Sequence, residues 1–113
     1  MIYMKIGFIL TKTPSEEGFK TFLRFLEIYI KNEDIYIYLL GNGVYGFIEG
    51  QSKSQKLMSM LGDSKTSKVY ACLDDLNARG LKDNKLIKHV ESFETYDEIV
   101  QDIMENMDQV FSF

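Results

Sequence analysis

The chain has 113 residues, of which 45% are hydrophobic and 27% charged, and its formal net charge at pH 7 is −4. This length suits a single domain, residues 1–113, with its own core. The acidic balance argues against direct nucleic-acid binding, and no apolar run approaches the roughly 20 residues that span a bilayer. With no basic leader and one cysteine, which excludes an intrachain disulfide, we expect a cytoplasmic protein without membrane attachment.

The first third of the chain predicts a strand, a helix and a second strand. The run from Met4 to Leu10 is almost continuously apolar, which is typical of a parallel strand covered on both faces. Thr13, Pro14 and Glu16 form a capping-box pattern, so we expect a helix that begins at Pro14. Its apolar stripe would comprise Phe19, Phe22, Leu23, Leu26, Tyr29 and Ile30. The second strand, Ile35 to Leu40, should end at a glycine-containing loop.

The middle of the chain predicts further alternation of helices and strands. After the glycine loop, "VYGFIEG" should form a short helical turn. The segment "SKSQKLMSML" follows as a helix that stops at Gly62, with Leu57, Met58 and Leu61 directed inward. The third strand is then "SKVYAC", and "LDDLNAR" forms a short helix closed by Gly80.

The last quarter predicts a short fourth strand, "HVESF", then a helix and a closing strand, "DQVFSF". Thr95 and Glu98 form a second capping box at the start of that helix. Its predicted inward stripe consists of Ile99, Val100, Ile103, Met104 and Met107. This alternation predicts a compact α/β fold, in which a five-stranded, mostly parallel sheet has helices on both faces in a Rossmann-like sandwich.

Ligands of such sheets usually bind at the carboxyl ends of the strands. The predicted loops there are Thr11 to Thr13, Gly41 to Gly43, and the residues after Cys72. The letters "GNGVYG" match a dinucleotide pattern, but they follow the second strand and lack the matching helix and downstream acidic residue. A glycine turn is the favoured interpretation, and a small nucleotide- or flavin-binding module remains an alternative.

Cys72, the only cysteine, should lie between the third strand and the helix that follows it. Free backbone N–H groups at a helix start favour a thiolate, whereas the nearby carboxylates Asp74 and Asp75 oppose it. Arg79 lies about two helical turns farther on, so we expect it to hold an acidic group or a partner rather than the sulfur. A cysteine at the end of an apolar strand is equally consistent with simple core packing.

Other site chemistries find little support in the sequence. His89 is the only histidine, so neither a Cys–His catalytic pair nor a metal site is expected. Lys82, Lys85 and Lys88 recur every three residues, and one solvated face is the favoured interpretation.

The order of these elements resembles the DsrE/DsrF/TusD-like sulfur-relay family over nearly the whole chain. The most specific likeness is Cys72 at a strand end followed by Arg79 and Gly80, which looks like the C-x-x-x-x-x-x-R-G pattern around the sulfur-carrying cysteine of the TusD and DsrE branch. The resemblance implies a DsrE-like fold and a sulfurtransferase-like relay protein. It would carry sulfane sulfur as a persulfide on Cys72 and pass it to a partner thiol without a cofactor or a metal.

The resemblance also implies partners and an assembly. Sulfur donor and acceptor proteins would be the partners, and the chain would form a homo-oligomer or a hetero-oligomer with related subunits. Asn42, Gly43, Asp75 and Arg79 are the candidates for substrate or partner binding beside the cysteine. Because the family also contains subunits that carry no sulfur, a non-catalytic structural subunit with Cys72 in its core is the main alternative.

Overall fold

A computed structural model describes residues 4–48, 52–62, 67–81 and 90–113. Over these residues the elements are, in chain order, β1 (Lys5–Leu10), α1 (Glu17–Tyr29), β2 (Asp34–Leu39), a 3₁₀ helix (Gly41–Phe47), α2 (Ser52–Gly62), β3 (Lys68–Cys72), α3 (Leu73–Ala78), β4 (Val90–Phe93), α4 (Tyr96–Asn106) and β5 (Gln109–Ser112). Two sequence interpretations fall outside the described residues: the solvated face of Lys82, Lys85 and Lys88, and the position of His89.

The described strands form one sheet in the order β4-β3-β2-β1-β5, and all of their pairings are parallel. The chain therefore steps in one direction from β1 to β4 and then returns across the whole sheet to β5. Because parallel crossovers are right-handed, the return connection places α4 on the face opposite to the preceding helices. The predicted five-stranded α/β sandwich is confirmed.

The two faces of the sheet differ in what covers them. The side chains of Ile37 and of the residues two positions away on β2, Ile35 and Leu39, point toward α1 and α2. We name this side of the sheet the α1 face. Tyr36, Tyr38 and Cys72 point to the other side, the α4 face, where Tyr38 donates a hydrogen bond to Asp102 of α4. Among the described helices only α4 lies across that face.

The α1 face holds the larger core. Its fully buried aliphatic and aromatic side chains include Ile6, Phe8, Leu10, Phe19, Phe22, Leu26, Ile35, Ile37, Leu39, Phe47 and Leu57. The ring centroids of Phe8 and Phe22 are 6.0 Å apart, and those of Phe8 and Phe111 are 5.7 Å apart. Most of the predicted inward residues of α1 and α2 are buried in this core, and Tyr29, Ile30 and Met58 are partly buried against it.

Helix α1 begins later than predicted, at Glu17 instead of Pro14. The Glu16 side chain accepts hydrogen bonds from the backbone N–H and the hydroxyl of Thr13, both at 3.1 Å. The Glu16 N–H in turn donates to the Thr13 carbonyl at 3.0 Å, which closes a turn around Pro14. The residues of the predicted capping box do interact, but they build the turn before the helix.

The predicted inward stripe of α4 is only partly inward. Ile99 is buried, and Ile103 and Met107 are partly buried against Tyr38 and its neighbours. Val100 and Met104 are exposed instead, because one helix on a flat sheet buries a narrower arc than the five apolar positions span. The helix start is as predicted, since the Thr95 hydroxyl accepts from the Glu98 N–H at 3.4 Å.

The glycine loop after β2 is more regular than expected. The 3₁₀ helix spans Gly41–Phe47 and thus includes the glycines that we expected in an open loop. The later glycine at position 80 adopts a φ of 66°, as a residue that closes a helix should. No helix in the described ranges is long and apolar enough to span a bilayer.

Candidate functional site

Asp75 is the centre of a polar cluster at the carboxyl edge of the sheet. It is only 6% exposed, and its Oδ2 accepts a hydrogen bond from the Gly41 N–H at 2.7 Å. Its Oδ1 accepts from the Tyr96 hydroxyl and lies 3.4 Å from Arg79 Nη1. One buried carboxylate therefore links the loop after β2, helix α3 and the first residue of α4. Each of these contacts compensates for part of the cost of burying its charge.

Arg79 completes this cluster from the end of α3. Its Nε and Nη2 donate to Asn42 Oδ1 at 3.1 and 3.0 Å, and its Nη1 also donates to the Asp75 carbonyl at 3.2 Å. The acidic group that we expected Arg79 to hold is thus Asp75. The structure brings together three of the four residues predicted to bind substrate or partner, and we name Asn42, Asp75, Arg79 and Tyr96 the Asp75 cluster.

Gly43, the fourth predicted residue, is buried beside this cluster and packs closely against β1. A Cβ atom on Gly43 would lie 2.0 Å from the Leu10 carbonyl oxygen, so no larger residue fits without a backbone shift. Gly41 adopts a φ of 54°, which suits glycine. A Cβ on Gly46 would similarly lie 2.5 Å from a ring carbon of Phe19. Packing and backbone conformation therefore account for the glycines of "GNGVYG", which lends no support to the nucleotide-binding alternative.

Cys72 is the last residue of β3 and the residue immediately before α3, as predicted. Its side chain is 0% exposed and packs on the α4 face with the buried side chains of Tyr38 and Ile99. Phe93, its register partner on β4, borders the same cluster. The thiol therefore lies between the sheet and α4, at the carboxyl edge of the sheet where the Asp75 cluster begins.

Tyr96 belongs to the same polar cluster, and the sequence analysis did not identify it. Its hydrogen bond to Asp75, followed by desolvation and the negative charge of Asp75, raises the pKa of Tyr96 to about 12. A tyrosine directly after the Thr95 cap is the available sequence signal, since the first residue of α4 must lie at the carboxyl edge of the sheet.

A second tyrosine–carboxylate pair holds the middle of α4. The hydroxyl of buried Tyr38 donates to Asp102 Oδ2 at 2.5 Å, and Asn106 Nδ2 donates to Asp102 Oδ1 at 2.7 Å. Burial, and then the bond to Asp102, raises the pKa of Tyr38 above its ordinary value. Two carboxylates, Asp75 and Asp102, thus fix α4 over the sheet through tyrosines.

Within residues 4–48, 52–62, 67–81 and 90–113, no three His, Cys, Asp or Glu side chains gather in a group that could hold a metal ion. The side chains at the carboxyl edge instead offer a thiol, a carboxylate bound to a phenol, and a guanidinium that contacts an amide. Of these groups only the thiol can act as a sulfur nucleophile, and it is buried in this structure.

Comparison with solved structures identifies the same fold in proteins of similar size. The ychN protein from E. coli superimposes with a TM-score of 0.80 at 24% identity, covering 97% of this chain and 99% of that protein. MTH1491, a protein of unknown function from Methanobacterium thermoautotrophicum, gives a TM-score of 0.74 at 18% identity, covering 99% of this chain and 100% of that protein. At these identities the likeness concerns the fold alone. No curated protein matches the chain.

The family comparison is more specific. The family described as "DsrH like protein" matches residues 12–109, which include both the cysteine and the Asp75 cluster. This family is associated with sulfur relay, in agreement with the broader resemblance found in the sequence. Because the match covers most of the chain, the chain belongs to the DsrH-like family.

Proposed function

We propose that this chain is a sulfur-relay protein that carries sulfane sulfur as a persulfide on Cys72 and delivers it to a thiol of a partner protein. The observation that carries the proposal is the position of the only cysteine, at the carboxyl end of β3 and directly before the helix that holds Asp75. Membership of a family associated with sulfur relay supports this assignment. The spacing from Cys72 to Arg79 and Gly80 supports a likeness to the sulfur-carrying DsrE and TusD branch.

The proposed reaction consists of two thiol exchanges. The Cys72 thiolate attacks the outer sulfur of a donor persulfide, which forms a sulfur–sulfur bond at Cys72 and breaks the bond in the donor. The donor leaves as a thiolate. An acceptor thiolate then attacks the same outer sulfur, and Cys72 leaves as a thiolate. Electrons and atoms balance over both steps, so neither an oxidant nor a cofactor is needed.

Both exchanges require the buried thiol to become accessible. Cys72 packs in one buried cluster with Ile99 of α4, so in this proposal α4 moves locally before the sulfur reacts. Tyr96, in the first turn of that helix, is exposed and is held to Asp75 by a hydrogen bond that water can replace. In this proposal the donor and the acceptor are cytoplasmic sulfur-relay proteins that dock at this edge, and the chain functions within an oligomer.

The test follows isotopically labelled sulfane sulfur from a donor persulfide through the protein to an acceptor thiol. The wild-type chain should take up one labelled sulfur atom at Cys72 and release it to the acceptor. Cys72→Ser has no thiol and is the matched control, because the chain contains no other cysteine. Equal transfer with Cys72→Ser, or no uptake by the wild type from any donor, would refute the proposal.

One observation favours a second candidate, a structural subunit that carries no sulfur. Cys72 is 0% exposed and lies among apolar and aromatic side chains, as a packing residue does. In that case Cys72→Ala should lower the free energy of unfolding by about 1 kcal/mol, since it removes a small buried group. It should also leave the sulfur relay of the complete assembly unchanged, which distinguishes the two candidates.

A further inference from the structure

Helix α4 presents an exposed apolar stripe beside the residues that pack on the sheet. Tyr96, Val100 and Met104 are 44%, 52% and 79% exposed. Their spacing of four residues places them along one side of the helix, over a length of about 12 Å. We name these three residues the α4 stripe. Met104 is the most exposed of the large hydrophobic side chains in the described part of the chain.

The charged residues of the same helix are all acidic. Over residues 96–106 they are Asp97, Glu98, Asp102 and Glu105, and the segment contains no lysine or arginine. Asp102 points toward the sheet, where it accepts the Tyr38 hydrogen bond. The remaining carboxylates lie on exposed positions, with Asp97 next to the stripe and Glu98 and Glu105 farther around the helix, so negative charge borders the stripe on its side away from the sheet. The whole chain has the same sign, with a net charge of −4.

We propose that the α4 stripe is a docking surface for a partner protein that presents an amphipathic helix, with an apolar face bordered by lysine or arginine side chains. An exposed helix that combines apolar anchors with one sign of charge is suited to packing against such a helix. Complementary charge at the border accelerates association and selects the partner, while burial of the anchors supplies affinity. The inference goes beyond sulfur transfer and holds whether or not Cys72 carries sulfur.

The charge of α4 argues against two other occupants. In a symmetric contact between two copies, the acidic borders of both helices would face each other within about one Debye length, which is unfavourable. An anionic membrane surface would repel the same carboxylates, whereas helices that bind such membranes are rich in lysine and arginine. A basic partner protein is the occupant that satisfies both the apolar and the charged part of the surface.

The test measures binding of a synthetic amphipathic helical peptide that has leucine on one face and lysine along its borders. The wild-type protein should bind this peptide, and it should bind a matched peptide with glutamate in place of lysine at least tenfold more weakly. Val100→Ser/Met104→Ser should weaken binding of the lysine peptide about tenfold. Ile28→Ser is the matched control, since Ile28 is 63% exposed on α1 and should leave binding unchanged. Amide exchange should show protection of residues 96–104 when the peptide is bound.

Several outcomes would overturn the inference. Three results would show that the stripe does not recognise a basic amphipathic helix: no binding of the lysine peptide, equal affinity for the two peptides, or full binding by Val100→Ser/Met104→Ser. A wild-type dimer that this double variant converts to a monomer in sedimentation would assign the stripe to a second copy. Stripe-dependent binding to vesicles of anionic lipid would assign it to a membrane. Met104→Ser alone provides the same comparison if the double variant does not fold.

Discussion

The two faces of the sheet are built by different means. On the α1 face, fully buried side chains such as Phe8, Phe22 and Ile37 form a continuous apolar core with several ring contacts. On the α4 face, one helix is held by Tyr38–Asp102 and Tyr96–Asp75, and the cysteine is buried with Tyr38 and Ile99. Apolar burial thus supplies most of the stability on one face, whereas polar contacts fix the geometry of the other. A site on the α4 face can therefore change conformation without disruption of the main core.

The largest predicted effect comes from matched isoleucine truncations on the two faces. Ile37→Ala should lower the free energy of unfolding by about 4 kcal/mol, because Ile37 is completely buried in the α1-face core. Ile103→Ala should cost about 2 kcal/mol or less, because Ile103 on α4 is only partly buried. Urea denaturation of both variants measures the difference. Equal losses would show that the two faces contribute similarly to stability.

The second effect concerns the centre of the polar cluster. Asp75→Asn should lower the free energy of unfolding by about 2 kcal/mol, because the carboxylate accepts bonds from Gly41, Arg79 and Tyr96 in a buried position. It should also accelerate alkylation of native Cys72, since the loosened edge exposes the thiol. Asp74 is exposed, so the neighbouring substitution Asp74→Asn should change the free energy of unfolding by less than about 0.5 kcal/mol. Identical behaviour of the two variants would contradict the central role of Asp75.

A somewhat smaller effect should follow from removal of the Tyr38 hydroxyl, which fixes the middle of α4. Tyr38→Phe should lower the free energy of unfolding by about 1.5 kcal/mol, because it removes a hydrogen bond to a carboxylate at a buried position. A double-mutant cycle with Asp102→Asn should give a coupling energy of about 1 kcal/mol. Additive losses in the two variants would indicate that the bond does not stabilise the contact.

The smallest effect is a pH dependence that involves Tyr96. Its pKa is raised from an ordinary 10.0 to about 12 in the folded state, so folding favours the protonated phenol. The resulting stabilisation is complete below pH 10.0 and is lost as the pH rises through about 12. Wild-type stability should therefore fall more steeply over this interval than that of Tyr96→Phe, and tyrosine NMR should show the late ionisation. Parallel pH curves would contradict the Tyr96–Asp75 bond.

The sequence predicted the fold well because it depends on local signals. Apolar strands, the Thr95 cap and Gly80 mark the elements directly, and the alternation of strands and helices determines the parallel sheet. The predicted start of α1 was wrong because Thr13 and Glu16 can close a turn as well as cap a helix. The sequence pattern does not distinguish these two structures. The exposure of Val100 and Met104 depends on how much of α4 the sheet covers, which periodicity does not report.

The candidate site was less accessible to sequence reasoning. Cys72, Asp75 and Arg79 were identified because they are close along one short segment, and Asn42 because it follows a strand. Tyr96 was missed because it reaches Asp75 across 21 positions of sequence, and only the tertiary structure brings the two together. Burial of Cys72 likewise depends on α4, which follows it much later in the chain.

The central claim is that Cys72 of the native protein accepts sulfane sulfur. The most direct measurement is the intact mass of the native chain after incubation with a small-molecule persulfide, followed by peptide mapping. We expect the gain of one sulfur atom at Cys72, reversed by an acceptor thiol and absent in Cys72→Ser. A native chain that gains no sulfur, while the unfolded chain does, would refute sulfur carriage and identify Cys72 as a packing residue.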